Sequence, residues 1–238
     1  MIEMVRRFLR QRLGSLLIVL ALLCILLPLA AGSILATPGN SDNFPVTLTV
    51  LLVAAGCVSR DASSGALQMI LARPIRRSAY ILGRFIGIAT TMALFLAAAL
   101  GIALAIPRLL PSLGLGPLDP LVTLSGVGGT FLDALLVAAT VVFFSTFLPS
   151  YADAFAYIVL MMVLTAPSIL GQLLKNASLM NLGSVLRKNV APSVPWAELL
   201  RSRDALGEAS GRYVLALVVF LAAALIIFSR REFAYGQD

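Results

Sequence analysis

Long blocks of apolar residues that contain no charged side chain dominate this sequence. Five such blocks cover residues 13–36, 44–59, 85–107, 154–174 and 213–229, and a sixth, 122–148, contains a single charge at Asp133. A helix needs about 20 apolar residues to cross roughly 30 Å of hydrocarbon. With 60% hydrophobic and only 12% charged residues, the chain is excluded from the water-soluble globular class.

We therefore predict an all-α, polytopic membrane protein that forms one domain over residues 1–238. Its six transmembrane helices are expected near 13–36, 44–59, 85–107, 127–148, 154–174 and 213–229. Residues 1–12 combine one apolar helical face with four arginines, which predicts an amphipathic helix on the membrane surface. An uncleaved first helix is preferred to a signal peptide, because its apolar run is long and no clean cleavage site follows it.

The distribution of Lys and Arg predicts that both termini face the cytoplasm. With this orientation, 11 of the 18 basic residues lie inside, in segments 1–12, 60–84 and 230–231. Six of the seven outer ones lie in one loop, 175–212. A basic excess on the cytoplasmic side orients membrane helices, so it accounts for the net charge of +7 without a nucleic-acid partner. We expect the prokaryotic cytoplasmic membrane.

Several kinds of active site are excluded by the residues that the chain lacks. It contains no histidine, which removes HExxH zinc sites and Ser/His or Cys/His catalysis. Cys24 and Cys57 lie in apolar runs and are interpreted as packing residues. No GxxxxGK[ST] phosphate loop is present. We expect no enzymatic activity, no metal and no cofactor in this chain.

Two carboxylates lie close to predicted spans. If the fourth span begins near Gly128 or Thr130, Asp133 lies within about one turn of the outer edge, where water reaches it. Contact with cargo or an ion is the alternative for Asp133, which is the one candidate for substrate binding. Asp153 is expected to cap the fifth helix. A catalytic pair of these aspartates is disfavoured, because the topology places them on opposite sides of the membrane.

The segment between the second and third predicted spans is the most informative. Asp61 and Gln68 fall on one helical face, Leu67 and Leu71 fall on another, and Pro74 ends the pattern. This arrangement predicts a short interfacial helix on the cytoplasmic side. On these grounds alone, a basic loop that only follows the positive-inside rule fits equally well.

The same segment resembles the permease subunits of ABC-2 type ABC transporters. Those subunits carry an acidic residue, Gly-Thr-Leu, two leucines, Pro-x-Ser/Thr-Arg, and Gly-Lys or Gly-Arg at the start of the third helix. The matching residues are Asp61, Gly65-Ala66-Leu67, Ile70-Leu71, Pro74-Ile75-Arg76-Arg77 and Gly83-Arg84. Asp61, Ala66 and Arg76 depart from the usual glutamate, threonine and small hydroxyl residue. The six-span layout also agrees.

The resemblance implies that segment 60–84 contains a coupling helix that docks on a separate cytoplasmic ATPase, which binds the ATP and Mg²⁺. Two permease chains, identical or different, and two ATPases would form the transporter, which we expect to be an exporter in contact with membrane lipids. The implied coupling residues are Asp61 and Gly65 at the helix start, Leu67 and Leu71 on its docking face, Pro74 at its end, Gly83 at the third span, and Arg77 and Arg84 toward the ATPase or lipid phosphates.

Two other functions fit the sequence. One is a heme-exporter-like or cofactor-maturation membrane subunit that keeps ATPase coupling, although the lack of histidine disfavours direct heme handling by this chain. The other is a membrane scaffold without a transport role. Copurification of an ATPase that has a phosphate loop distinguishes the scaffold from both kinds of ABC subunit.

The predicted topology is tested by labelling single cysteines with an impermeant reagent added from outside the cell. Because position 77 is expected inside and position 185 outside, Val185→Cys should react and Arg77→Cys should not. Strong labelling at position 77 together with none at position 185 would overturn the orientation.

Overall fold

The computed structural model of the chain describes residues 44–59, 61, 76–109, 120–149, 151–192 and 206–230. Within these ranges it is all-helical, as predicted. The helices are α1 (Phe44–Ala54), α2 (Arg77–Leu109), α3 (Pro120–Ser145), α4 (Ala152–Leu173), α5 (Ala177–Val190) and α6 (Leu206–Arg230).

The long helices alternate in direction, so their ends lie at two opposite ends of the bundle. Hydrogen bonds join the turn after α1 to the end of α3 and the start of α4, and join the start of α2 to the end of α6. We call this level the junction end. The end of α2, the start of α3, the end of α4 and the start of α6 form the opposite level, called the far end.

Helix α3 lies at the centre of the bundle and contacts α1, α2, α4 and α6. Buried apolar side chains from these helices form the core, including Val50, Ile88, Val141 and Phe228. On the outside, α4 exposes large apolar side chains such as Phe155 and Met162. An apolar surface of this extent is stable against lipid rather than water.

Among the described residues, four helices are long and apolar enough to cross a membrane: Arg77–Gly101, Gly126–Ser145, Ala152–Leu173 and Ser210–Arg230. They correspond to the third to sixth predicted spans, and they make the chain compatible with an integral membrane protein. The predicted first span and the amphipathic helix over 1–12 lie outside the described residues.

The second predicted span, 44–59, is represented by a shorter helix. α1 contains 11 residues, which span about 16 Å. It ends because Gly56 adopts a left-handed backbone conformation with φ of 67°, the conformation that commonly terminates helices at glycine. The rest of the apolar block is buried and forms a turn over 55–58, after which Ser59 is helical.

Three helices, α2, α3 and α6, begin earlier than the charge pattern suggests; α6 starts at Leu206 rather than at 213. α2 starts at Arg77 rather than at 85, because no proline lies between Pro74 and Phe85 and arginine is a good helix former. α3 starts at Pro120 rather than near Gly128 or Thr130, since proline is favourable in the first turn of a helix.

The predicted outer loop 175–212 contains a helix, α5, that forms a tight hairpin with α4. Asn176 begins α5 by accepting a hydrogen bond from the Ser178 N–H at 3.0 Å, the usual role of an N-cap side chain. A Cβ atom at Gly183 would lie 2.6 Å from the backbone nitrogen of Ser168, and one at Gly171 would lie 2.6 Å from that of Met180. The two helices therefore approach closely only because both positions are glycine.

Gly183→Ala should destabilise this hairpin, because the added methyl group meets backbone that has no rotamer with which to move away. We expect a loss of about 1–3 kcal/mol, measured as a lower midpoint of thermal unfolding in detergent. Gly101→Ala is the matched control, since a Cβ there meets nothing within 4 Å and alanine favours a helix by up to about 1 kcal/mol. Equal midpoints for the two variants would contradict the close approach.

Candidate functional site

The first part of the site is a buried carboxylate that holds the turn after α1. The Gly56 N–H donates a hydrogen bond of 2.8 Å to Oδ2 of Asp153, 97 residues away on α4. Asp153 is fully buried, and its Oδ1 accepts a hydrogen bond of 2.8 Å from the Ala154 N–H. One carboxylate thus satisfies a backbone donor of the turn and another in the first turn of α4.

The expectation that helix capping fully explains Asp153 is therefore wrong. Tyr151, not Asp153, occupies the N-cap position of α4, and it makes no capping hydrogen bond through its side chain. Asp153 does bond to a first-turn N–H, but its other oxygen connects α4 to the turn after α1. This second role depends on a contact between segments far apart in sequence, so the local pattern could not reveal it.

Ser145, the last residue of α3, holds the next part of the same turn. Its Oγ accepts hydrogen bonds of 3.1 Å each from the N–H groups of Val58 and Ser59, and it lies 3.4 Å from the Ser59 Oγ. Ser145 also interacts with the Asp153 carboxylate. Buried backbone N–H groups need such partners, because leaving one unpaired costs about 1–3 kcal/mol.

Asp61 joins the beginning of segment 62–75 to α2. Its carboxylate forms an ion pair with Arg84 and accepts a hydrogen bond of 2.7 Å from the Tyr80 hydroxyl. The Asp61 and Arg84 side chains are only 15% and 11% exposed. Water screens a pair of this kind less than a surface pair, so the contact is stronger than most exposed salt bridges.

The same level of the bundle connects α2 to α6. The Arg77 guanidinium donates a hydrogen bond of 2.9 Å to the Ser229 carbonyl oxygen, where a cation also interacts favourably with the carboxyl end of a helix. The Tyr80 ring stacks on Phe228 with centroids 5.6 Å apart, and the Arg84 guanidinium lies 5.3 Å from the centroid of the Tyr80 ring. Tyr80 therefore contacts both α6 and Arg84 and also binds Asp61.

We call these contacts the junction; it consists of Gly56, Val58, Ser59, Asp61, Arg77, Tyr80, Arg84, Ser145, Asp153, Phe228 and Ser229. Of the coupling residues expected from the sequence, Asp61, Arg77 and Arg84 belong to it, and Gly83 is buried on α2 beside them. Gly65, Leu67, Leu71 and Pro74 lie outside the described residues. The sequence analysis did not assign Tyr80, Ser145 or Asp153 to this site. The sequence feature that could have pointed to Ser145 and Asp153 is a polar side chain close to the end of an apolar block.

Asp133 lies farther from the junction. Because α3 begins at Pro120, Asp133 is not within one turn of the helix start; it lies 12 residues before Ser145, about 18 Å from the junction end. Its side chain is half-buried, and its charge acts on the hydroxyl groups of Tyr157 and Tyr213. Tyr213 in turn donates a hydrogen bond of 2.6 Å to the Leu132 carbonyl oxygen.

No protein-family model matches the chain, and no curated protein matches it. The described residues also contain no group of three or more His, Cys, Asp or Glu side chains that could hold a metal ion. The junction attaches both ends of segment 62–75 to the bundle, through Asp61 on one side and Arg77 on the other.

Asp153→Ala should destabilise the protein, because it leaves the buried Gly56 N–H without its acceptor. The expected cost is about 1–3 kcal/mol, measured as a lower unfolding midpoint in detergent. Asp153→Asn keeps an acceptor oxygen and should lose less. Ser184→Ala, an exposed change on α5, is the control. If Asp153→Ala and Ser184→Ala unfold alike, the contact contributes nothing to stability.

Proposed function

We propose that this chain is the membrane-spanning permease subunit of an ABC-2 type ABC transporter, working as an exporter. In this proposal a separate cytoplasmic ATPase hydrolyses ATP, and two permease chains form the pathway through a prokaryotic cytoplasmic membrane. Both termini and the junction end face the cytoplasm. The residues of segment 61–84 that match the permease pattern are the starting point, and the junction supplies the physical support.

The observation that carries the proposal is the attachment of segment 62–75 at both of its ends. Asp61 precedes the segment and pairs with Arg84, while Arg77 follows it and binds the end of α6. A loop that only followed the positive-inside rule would not need a partly buried ion pair at one end and a hydrogen bond to a neighbouring helix at the other. A loop that transmits force from a soluble motor does need them, since a flexible attachment would absorb the movement.

The junction also determines which helices would respond to such a movement. Gly56 is bound to α4 through Asp153, Val58 and Ser59 are bound to α3 through Ser145, and Asp61 is bound to α2. Displacement of the loop therefore acts on three helices of the bundle together. Closely packed interiors transmit such displacements rather than deform continuously.

This arrangement divides the proposed coupling residues into two groups. Asp61 and Arg84 bind each other inside the chain, so we assign them to holding the loop on the bundle. Docking on the ATPase is assigned to Leu67 and Leu71, which share a helical face in the sequence pattern. Pro74 is proposed to end the predicted docking helix before Arg77.

The docking role is tested with Leu67→Ala combined with Leu71→Ala. Truncating a buried interface leucine costs about 1–3 kcal/mol, or roughly ten- to a hundredfold in affinity. We expect normal membrane insertion and abundance, but weaker capture of the proposed partner ATPase and lower stimulated ATP turnover. The measurement is a pull-down from detergent-solubilised membranes.

Leu199→Ala, in the predicted outer loop, is the matched control and should keep the ATPase. If the double variant retains its ATPase and supports transport like the wild type, segment 62–75 is only a basic loop and the proposed function loses its main support. Failure of the wild-type chain to capture any ATPase would favour the scaffold instead.

A further inference from the structure

Asp133 of α3 and Arg187 of α5 lie at the same level of the bundle. The level of Asp133 follows from the contact between Ser145 at the end of α3 and Asp153 at the start of α4. Asp133 is 12 residues before Ser145, which corresponds to about 18 Å along α3. Leu164 is 11 residues after Asp153, or about 16 Å along α4. Asp133 and Leu164 are therefore at nearly equal distances from the junction end.

The contacts between α4 and α5 bring Arg187 to that level as well. Gly183 lies against Ser168 of the antiparallel α4, so Arg187, four residues further along α5, lies beside Leu164. Arg187 also shares a helical face with Gly183, and this is the face that packs on α4. Two separate sets of contacts, one toward each end of α4, thus place Asp133 and Arg187 at one level.

Two buried tyrosine side chains lie near these charges. The Tyr157 hydroxyl on α4 experiences the charges of both Asp133 and Arg187, and the Tyr213 hydroxyl on α6 experiences that of Asp133. Tyr213 also donates a hydrogen bond of 2.6 Å to the carbonyl oxygen of Leu132. This bond holds α6 against α3 at the residue before Asp133, so the surroundings of the carboxylate are protein on two sides.

A carboxylate at this depth needs an opposite charge. Asp133 lies within the candidate span Gly126–Ser145, and acidic side chains inside a span are rare and are commonly paired with another charged group. Arg212, which precedes Tyr213, is a second cation near this level. The charges that act on the two tyrosine hydroxyls, however, are those of Asp133 and Arg187, which favours Arg187 as the partner.

We propose that Asp133 and Arg187 form an intramembrane charge pair that holds α5, and with it the α4–α5 hairpin, against α3. The pair gives Asp133 a partner inside the chain, in place of the water or cargo contact that the sequence allowed. Asp133 is half-buried and Arg187 is more exposed, so the attraction is partly screened and its effects are modest. The pair does not rest on the transporter assignment, because neither an ATPase nor a substrate takes part in it.

The pair is tested by a double-mutant cycle on the midpoint of thermal unfolding in detergent. Unfolding is followed by the reaction of the buried Cys57 thiol with a fluorogenic maleimide. Asp133→Asn and Arg187→Gln should each lower the midpoint by about 2–4 °C, because each leaves the other charge without its partner. The combined variant should recover most of this loss, and so should the exchange of the two charges by Asp133→Arg with Arg187→Asp.

Lys188→Gln is the matched control, since it removes the adjacent cation from a different face of α5. Combined with Asp133→Asn, it should restore nothing, and Arg212→Gln should restore nothing either. Single variants that unfold like the parental chain, or losses that add in the combination of Asp133→Asn with Arg187→Gln, would overturn the pair. Recovery of Asp133→Asn by Lys188→Gln or Arg212→Gln would assign the carboxylate to a different cation.

The common level is tested separately by cross-linking, in a chain whose Cys24 and Cys57 are replaced by alanine. Asp133→Cys with Arg187→Cys should be joined by a short bifunctional thiol reagent, so that trypsin cleavage after Lys175 no longer separates the two parts. Asp133→Cys with Ser178→Cys should not be joined, because Ser178 lies about 14 Å nearer to the far end.

Absence of the cross-link at position 187, or equal cross-linking at position 178, would contradict the alignment on which the pair depends. These experiments contain no ATPase, so their outcome is separate from the pull-down that tests the transporter proposal.

Discussion

The fold depends on the way in which buried backbone donors are satisfied where α1 ends. In a bundle surrounded by lipid, an N–H group without a partner is especially costly, because water does not reach it. Asp153 and Ser145 supply the acceptors for Gly56, Val58 and Ser59. This requirement brings the end of α3, the start of α4 and the turn after α1 to one level.

The helical class and the approximate positions of four spans were predictable, because apolar length is a local property of the sequence. The starts of the helices were harder to predict than their centres. The charge at Arg84 suggested that the third span begins after it, yet Arg77 and Arg84 both lie in α2 and bind partners within the chain. The partners themselves could not be predicted. Asp153 meets a backbone group 97 residues away, and no local pattern encodes a contact at that distance.

Helix α5 illustrates a related limit. In the count of Lys and Arg, segment 175–212 was taken as an outer loop. Its six basic residues weakened the prediction that both termini face the cytoplasm. The structure places Arg187 and Lys188 at the end of a helix that packs on α4. Basic residues in long or structured outer segments have little influence on topology. The two clusters at 1–12 and 60–84 therefore remain the ones that bear on orientation.

The two polar regions of the molecule share one helix. α4 carries Asp153 at the junction and Tyr157 one turn further along, on the same face. Its other half packs on α5 through Gly171 and Gly183, so closely that the two helices have to move as a unit. In the proposed transporter, a force on the loop reaches α4 through Gly56 and Asp153. Because α5 is attached to α4, the same force would also reach α5 at the far end.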